Sequence, residues 1–331
     1  MNHAKRRKFL IAAGALLTAH LTAEAQQAGK VNRVGVLWHA GSREEEGPMF
    51  DAFTAGLRER GYVDGRNIVL EHRFPSEIPE RFRSMAAELV ALKPDLLVGV
   101  SGNSAVALKN TGTSIPIVFT AVGDPVRAGL VRNLPRPGEN ITGFTIVAPE
   151  MTGKRLQLLL EILPPATKRV GVLHNPDNPL KEHILRDVAS ATQALGVEPR
   201  LVEARNGGEI DPAFVQFVQS GIKAVLIVAD PLVWLERERI ARAAIAAGIA
   251  TSQFSREGAE AGSLFSYGTN IAEVLRQTPD YVVKILRGAR PGDLPVVQPT
   301  RFELVINLKT ARALGINVPQ SILLRADRVV E

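Results

Sequence analysis

The sequence predicts an α/β protein of two similar lobes, each built around a parallel β-sheet. The chain has 331 residues, of which 45% are hydrophobic, and this length fits two domains of about 150 residues each. Apolar, β-branched segments of strand length alternate with helical segments along both halves. The pentapeptide Arg-Val-Gly-Val-Leu occurs at residues 33–37 and again at 169–173, so the second half begins as the first does.

The elements of the two halves match in order. A strand is followed in each half by a helix that ends at a glycine, Gly61 or Gly196, because glycine readily adopts the backbone conformation that ends helices. Alternation of strands with helices is typical of parallel sheets covered on both faces. The paired strands are expected at 30–37 and 167–173, 67–72 and 198–203, 95–100 and 223–229, and 115–120 and 249–254.

The last part of the chain is expected to complete these lobes rather than begin a third. Residues 270–288 read as one long helix, and residues 302–315 as a strand running into a helix. Segments rich in Gly, Pro, Ser, Thr or Asn are candidate crossings between the lobes, and three such crossings would form a hinge. They lie at 140–145, 265–270 and 291–299; the N-terminal lobe is then 30–142 plus 270–296, and the C-terminal lobe 143–267 plus 299–331.

Residues 1–25 are typical of a cleaved export signal. Four basic residues at positions 5–8 precede an apolar run at 9–21, and Ala23-Glu24-Ala25 offers small residues for cleavage. The run is shorter than the roughly 20 residues that span a membrane. We therefore expect a periplasmic protein that is not membrane-embedded, exported by a twin-arginine-like or general secretory route.

Charge and composition exclude several classes of function. Cleavage after residue 25 removes four basic residues and one acidic residue, so the formal charge falls from +6 to +3, and a nucleic-acid partner loses its main support. The chain has no cysteine, and its six histidines form no spaced metal set. We expect no metal and no cofactor.

Catalysis is also not expected. The segment Gly99-Val-Ser-Gly-Asn103 lacks the final glycine of a nucleophile elbow, and no phosphate-binding loop or dinucleotide fingerprint is present. A ligand-responsive repressor would need a helix-turn-helix before the first lobe, where residues 1–30 hold the export signal instead. A binding protein is the favoured class.

Several segments together resemble the ABC transporter substrate-binding family that includes the tryptophan-binding proteins. The resemblance implies the type I periplasmic binding protein fold, with two Rossmann-like lobes and a cleft that closes on a small-molecule solute for an inner-membrane ABC permease. The resemblance leaves the solute open. An amino acid, aromatic or not, is the leading candidate because the carboxylate and ammonium sites described below would select a zwitterion, and delivery to a membrane sensor or chemoreceptor is the alternative. The segments are 124–126, 129–131, 136–143, 169–173, 175–176 and 299–307.

Candidate ligand contacts follow from the rule that parallel sheets bind ligands beyond the carboxyl ends of their strands. Asp124 and Asp230 occupy matching places in the two halves and each precedes a proline, so each is a candidate for an ammonium group and equally for a helix cap. Replacing either aspartate is expected to weaken binding at least tenfold, about 1.4 kcal/mol.

The remaining candidates are small polar and aromatic residues near strand ends. The stretch 101–104 precedes a helix and is the candidate carboxylate site, with capping of that helix as the alternative. Trp38 and Trp234 are further aromatic candidates, for which core packing is favoured. The candidates besides the two aspartates are Ser42, Ser101, Gly102, Asn103, Ser104, Asn175, Phe254 and Tyr267.

Overall fold

The computed structural model describes residues 31–146 and 151–331. The predicted export signal lies outside the described residues. Within them, two sheets form the centres of two lobes. The strands are β1 Asn32–Leu37, β2 Ile68–Arg73, β3 Leu96–Val100, β4 Ile117–Val122, β5 Ile141–Thr145, β6 Arg169–His174, β7 Glu198–Glu203, β8 Ala224–Ile227, β9 Ala250–Gln253, β10 Phe265–Gly268, β11 Glu303–Asn307 and β12 Arg328–Val330.

The two sheets share one topology. The first has the order β2-β1-β3-β4-β5, with every pair parallel. The second has the order β12-β11-β10-β9-β8-β6-β7, in which only the β10–β11 pair is antiparallel. The arrangement β7-β6-β8-β9 repeats β2-β1-β3-β4, which confirms the predicted pair of similar α/β lobes.

Helices cover the sheets. Among the described residues, no helix combines the length and apolar character that a membrane span requires. The α-helices are α1 Arg43–Glu46, α2 Pro48–Glu59, α3 Pro79–Ala91, α4 Gly102–Asn110, α5 Met151–Ile162, α6 Lys181–Leu195, α7 Ile210–Gln219, α8 Pro231–Leu235, α9 Arg237–Ala246, α10 Arg256–Ala261, α11 Ile271–Gln277, α12 Pro279–Leu286, α13 Leu308–Ala313 and α14 Gln320–Leu323.

The glycine of the repeated pentapeptide has the same packing role in both lobes. A methyl group added to Gly35 would lie 2.8 Å from the Leu97 side chain, and one added to Gly171 would lie 2.6 Å from the Phe217 ring. Both distances are too short for carbon atoms in contact. The repeat therefore keeps a glycine in β1 and β6 because a neighbouring apolar side chain fills that space in each core.

The chain crosses between the lobes three times. The first crossing follows Thr145, because β5 pairs with β4 in the first sheet; the predicted boundary after residue 142 would cut this strand. The second follows Gly268, the last residue of β10. The third follows Val297, which bridges to Phe144 of the first lobe before the chain enters β11. These three segments connect the two lobes and are the candidate hinge.

The long helix predicted at residues 270–288 is two helices, α11 and α12. Pro279 begins α12, and proline has no N–H to donate to the preceding turn of a helix. At the break, the Thr278 hydroxyl donates to Val274 O at 2.9 Å and lies 2.7 Å from the Thr120 hydroxyl of β4. Through Thr278, the segment that returns from the second lobe is therefore connected to the first sheet at this break.

Candidate ligand-binding site

A cavity of about 390 Å³ lies between the lobes. Its walls come from loops at the carboxyl ends of strands in both sheets, where ligand sites of parallel sheets are found. The start of α5 and two residues of the crossings, Ile271 and Gln298, complete it. Six of the ten candidates from the sequence line this cavity: Ser101, Gly102, Asn103, Asp124, Asp230 and Phe254.

The other four candidates do not line it. Ser42 caps α1 by accepting the Glu45 N–H at 3.2 Å. Ser104 is fully buried and donates to the Trp38 carbonyl at 2.7 Å. The side-chain amide of Asn175 donates a hydrogen bond to Asp230. Tyr267 lines a second, smaller cavity, the annex, and Phe254 lines both cavities.

Of the two tryptophans, Trp234 lines the cavity and Trp38 does not. Trp38 is fully buried and packs among aromatic side chains of the first lobe, with Phe74 stacked 6.2 Å away between ring centroids. Trp234, on α8 of the second lobe, lines the cavity. The edge-on contact of its ring with His39 of the first lobe, at 5.6 Å between centroids, crosses the cleft. Its indole N–H is buried and has no hydrogen-bond partner among the described residues.

Asp230 is the buried carboxylate of the cavity, only 4% exposed. It lies at the N-terminus of α8, where Oδ1 accepts the Leu232 N–H at 2.8 Å. The side-chain amides of Asn178 and Asn175 donate to its two oxygens at 2.6 and 3.4 Å. Burial raises the pKa of Asp230 to about 6, against the lowering effect of these hydrogen bonds, and the nearby Glu77 adds to the increase.

Asp124 does not occupy the matching place in the first lobe, which corrects the sequence prediction: it follows β4, whereas Asp230 follows β8, the counterpart of β3. Its environment is also different. Its Oδ1 accepts the N–H groups of Val126 and Arg127 at 3.0 and 2.9 Å, and its Oδ2 lies 3.3 Å from the Arg127 guanidinium. The side chain is 34% exposed. Asp124 therefore already has a cationic partner and contact with solvent, whereas the hydrogen bonds to the buried Asp230 come from neutral groups.

Arg127 also joins the two lobes. Its Nη1 lies 3.1 Å from Oδ2 of Asp187, which is on α6 of the second lobe. Both residues line the mouth of the cavity, with side chains 37% and 30% exposed. An ion pair with this much exposure stabilises a structure by about 0–1 kcal/mol. It is a weak contact across the cleft.

Replacing Asp187 by asparagine should therefore speed ligand dissociation less than fivefold at low salt, measured by stopped flow. The difference should disappear at about 1 M salt, where screening acts within roughly 3 Å. Glu88→Gln is the matched control, because Glu88 pairs with Arg73 inside the first lobe and should leave dissociation unchanged. A salt-independent or larger effect of Asp187→Asn would contradict this assignment.

Two residues in the cavity wall of the first lobe have backbone conformations that are uncommon for residues other than glycine. Ser101 has φ of 94° and Ala121 has φ of 56°, a region that costs a non-glycine residue about 1–3 kcal/mol and is found mostly at functional sites. Ala121 lies where the pairing of β4 with β5 shifts register. Both residues line the cavity. The cavity wall of the first lobe therefore includes two positions whose conformations are uncommon for serine and alanine.

A cluster of carboxylates lies behind the same wall. His39, which lines the cavity, lies 3.3 Å from Glu46 and 3.3 Å from Glu77. Burial alone would lower the pKa of His39, but the two carboxylates outweigh it and raise the pKa. Glu77 also accepts a hydrogen bond from the Asn103 amide at 3.0 Å. With Asp230, this end of the cavity is strongly acidic.

Arg155 is the residue that the sequence analysis missed. It lies on α5, lines the cavity and is only 3% exposed. No hydrogen bond or ion pair joins its guanidinium to another described residue, and its Nε is buried without a partner. Burial lowers the pKa of Arg155 to about 10. The available signal was an arginine in helical register with the apolar residues Met151 and Leu159.

Known proteins resemble this chain in sequence and in fold. A profile of the family described as ABC transporter substrate binding protein matches residues 44–330. The chain belongs to this family. The resemblance found in the sequence is confirmed, and so is the type I periplasmic binding protein fold.

This substrate-binding protein has relatives of known name. A tyrosine-binding protein of Clostridioides difficile strain R20291 is 27% identical over 95% of this chain and 93% of its own length. A Streptococcus pneumoniae ABC domain in complex with L-Trp is 24% identical, with a TM-score of 0.83 over 91% of this chain and 100% of its own. A ligand-free, open substrate-binding protein with adhesive properties from Clostridium difficile is 25% identical, with a TM-score of 0.65 over 91% and 99%.

Proposed function

We propose that this chain is a receptor that binds an amino acid with an apolar or aromatic side chain in the cleft between its lobes. The carrying observation is the buried Asp230 carboxylate on the cavity wall beside Trp234 and Phe254. An ammonium group and an apolar body on one ligand would match these two features. The named relatives, which bind tyrosine and L-Trp, support the same class of solute.

Asp230 is suited to an ammonium ligand because its carboxylate is held in place before the ligand arrives. The Leu232 N–H and the Asn178 amide fix both oxygens, so little side-chain entropy is lost on binding. A buried carboxylate without a cation is costly, and its raised pKa reflects that cost. An ammonium ion beside it would remove the cost, which favours binding.

The apolar wall is suited to the ligand's side chain. Trp234 and Phe254 contribute aromatic surface, and Val228, Ile184 and Ile271 contribute aliphatic surface. Burial of an aromatic side chain against such a wall supplies about 1.5–3 kcal/mol. The unpaired indole N–H of Trp234 offers one hydrogen bond to a polar atom of the ligand.

Closure of the hinge would couple binding to transport. The ligand bridges the lobes, favours the closed form by its greater affinity for that form, and the closed form docks on an inner-membrane ABC permease. The higher TM-score with the L-Trp complex than with the open structure, at equal coverage of this chain, supports a closed arrangement here. Export to the periplasm and the absence of any bond-breaking step belong to the same proposal.

The experiment is a ligand screen on the purified mature chain. Native mass spectrometry would detect any co-purified solute, and a thermal-shift assay would test tyrosine, tryptophan, phenylalanine and leucine. At 100 times its Kd, a ligand stabilises the fold by about 2.7 kcal/mol, so at least one aromatic amino acid should raise the Tm clearly. Absence of binding across the panel, or chemical conversion of the bound compound, would overturn the proposal.

A further inference from the structure

The guanidinium of Arg155 lacks a partner within residues 31–146 and 151–331, and a buried charge in that condition is costly for the ligand-free protein. Arg155 is 3% exposed on α5 and has no hydrogen-bond or ion-pair partner among the described residues. Buried charges in proteins are normally paired, because removing a charge from water carries a large penalty. A methionine or leucine would pack this helix face at lower cost. The residue therefore stabilises something other than the empty fold.

The position of Arg155 points to the cavity. Its neighbours on the same helix face, Met151, Leu159 and Ile162, are apolar and buried. The Arg155 side chain lines both the main cavity and the annex beside Phe254. A planar guanidinium binds a carboxylate through two parallel hydrogen bonds. An anionic group in the cavity would supply the missing partner.

Two threonines add hydroxyl groups to the same cavity. Thr145 ends β5 just before the first crossing, and its hydroxyl is buried without a partner. Thr152 lies in the first turn of α5, just after that crossing. Both line the cavity with Arg155. A carboxylate bound here would be contacted from both sides of the hinge, which favours closure.

The acidic end of the cavity is separate from Arg155. Glu77 contributes to the raised pKa of Asp230, whereas the pKa of Arg155 is lowered by burial without a contribution from a carboxylate. Residues 101–103, the predicted carboxylate site, lie at the acidic end, where Asn103 is hydrogen-bonded to Glu77. Repulsion from Glu77 and Asp230 opposes an anion there. The ligand's negative group is therefore better accommodated at the other end.

We infer that Arg155 binds the carboxylate of the ligand, with the ammonium group held at Asp230, so that the second lobe recognises both charges of a zwitterion. The orientation rests on the proposed function, because it takes the ligand to be an amino acid. The ammonium position is one that the sequence also predicts, whereas the carboxylate site moves from residues 101–104 to Arg155. Compounds that lack a free carboxylate are poor ligands.

The test compares the amino acid with its carboxamide, using L-tyrosine, L-tryptophan and their amides in isothermal titration calorimetry. The wild-type protein should bind the better amino acid at least 100-fold more tightly than its amide. Arg155→Met should bind the two within about fivefold of each other, because the partner of the carboxylate is gone. Arg155→Lys should keep part of the preference, since it keeps the charge but not the paired hydrogen bonds.

Stability of the ligand-free variants separates a binding role from a structural one. Arg155→Met should melt at the same temperature as the wild type or higher, because an unpaired buried charge is replaced by an apolar side chain. Lys154→Met is the matched control on the same helix. Lys154 does not line the cavity and bonds only Gln157, so its replacement should leave both ligands' affinities unchanged.

Two results would overturn the inference: equal binding of acid and amide by the wild type, or an unchanged preference in Arg155→Met. If neither amino acid binds the wild type, the proposed function fails instead. Carboxylates without an ammonium group, such as indole-3-propionate and 4-hydroxyphenylpropionate, then decide the matter. Binding that Arg155→Met abolishes would uphold the anion site, and no binding would overturn it.

Discussion

Replacement of Asp230 by asparagine should weaken amino-acid binding at least 100-fold, which corresponds to about 2.8 kcal/mol. Asparagine keeps the shape and an oxygen for the Leu232 N–H, but it removes the negative charge that an ammonium group requires. The effect is large because Asp230 is 4% exposed, so water cannot replace the lost partner. Calorimetric titration of both proteins with L-tyrosine and L-tryptophan measures the ratio.

Asp124→Asn is the matched comparison. The Asp124 oxygens already accept two backbone N–H groups and contact Arg127, and the side chain is partly open to solvent. We expect a loss of less than fivefold, below the tenfold that the sequence alone predicted for either aspartate. Equal losses in the two variants, or an unchanged affinity in Asp230→Asn, would contradict the assignment of Asp230.

The contrast between these aspartates illustrates what the sequence can and cannot predict. Asp124-Pro125 and Asp230-Pro231 look alike in sequence, and both begin a turn or helix after a strand, although the strand before Asp230, β8, corresponds to β3 rather than to β4. Their difference is burial, which depends on what the opposite lobe places over them. The loop of the first lobe that carries His39 approaches α8 through Trp234, and no local pattern specifies that approach.

The fold itself was more predictable. The repeated pentapeptide marks β1 and β6 because the glycine in each strand leaves room for a neighbouring apolar side chain, a requirement that is local to each lobe. The breaks were less predictable. Pro279 begins α12 and separates it from α11. A proline in a helical segment can either begin a new helix or kink a continuous one, so the sequence does not distinguish two helices from one. β5 was missed because its residues 141–145 include Gly143 and two threonines.

Arg155 was overlooked for a different reason. A single arginine within an apolar helical face is usually interpreted as a long side chain that reaches solvent along the surface. Only the tertiary structure shows that α5 lies at the cleft on the side of the second lobe, where the Arg155 side chain lines the cavity. Ser42 and Ser104 are the converse. Their residue type suited a binding loop, but their hydroxyl groups serve a helix cap and the Trp38 carbonyl.

Ligand affinity should fall about tenfold between pH 7.5 and pH 5. In the ligand-free protein, burial raises the pKa of Asp230 to about 6, and an ammonium group binds the ionised form, so protons compete with the ligand below pH 6. Binding at pH 5 should release close to one proton. Calorimetry in two buffers with different ionisation enthalpies measures this release directly.

The stability of the ligand-free protein should change with pH in the opposite direction: the free energy of unfolding should decrease as the pH rises. A carboxyl group whose folded pKa exceeds its unfolded value of 3.8 stabilises the fold below the unfolded pKa, and this contribution is lost as pH rises through about 6. A difference of about two pKa units corresponds to on the order of 3 kcal/mol. The free energy of unfolding of the wild type, relative to Asp230→Asn, should therefore decrease by this order between pH 4 and pH 7.

His39 reinforces the effect on binding rather than cancelling it. Burial lowers its pKa, but Glu46 and Glu77 raise it further than burial lowers it, and Asp230 contributes in the same direction. An ammonium ion beside Asp230 opposes the positive charge on His39, so binding should release protons from both groups. Asp230→Asn should remove most of the pH dependence and leave only the part due to His39. Proton uptake on binding by the wild type would show that the ligand is not held through its ammonium group at Asp230.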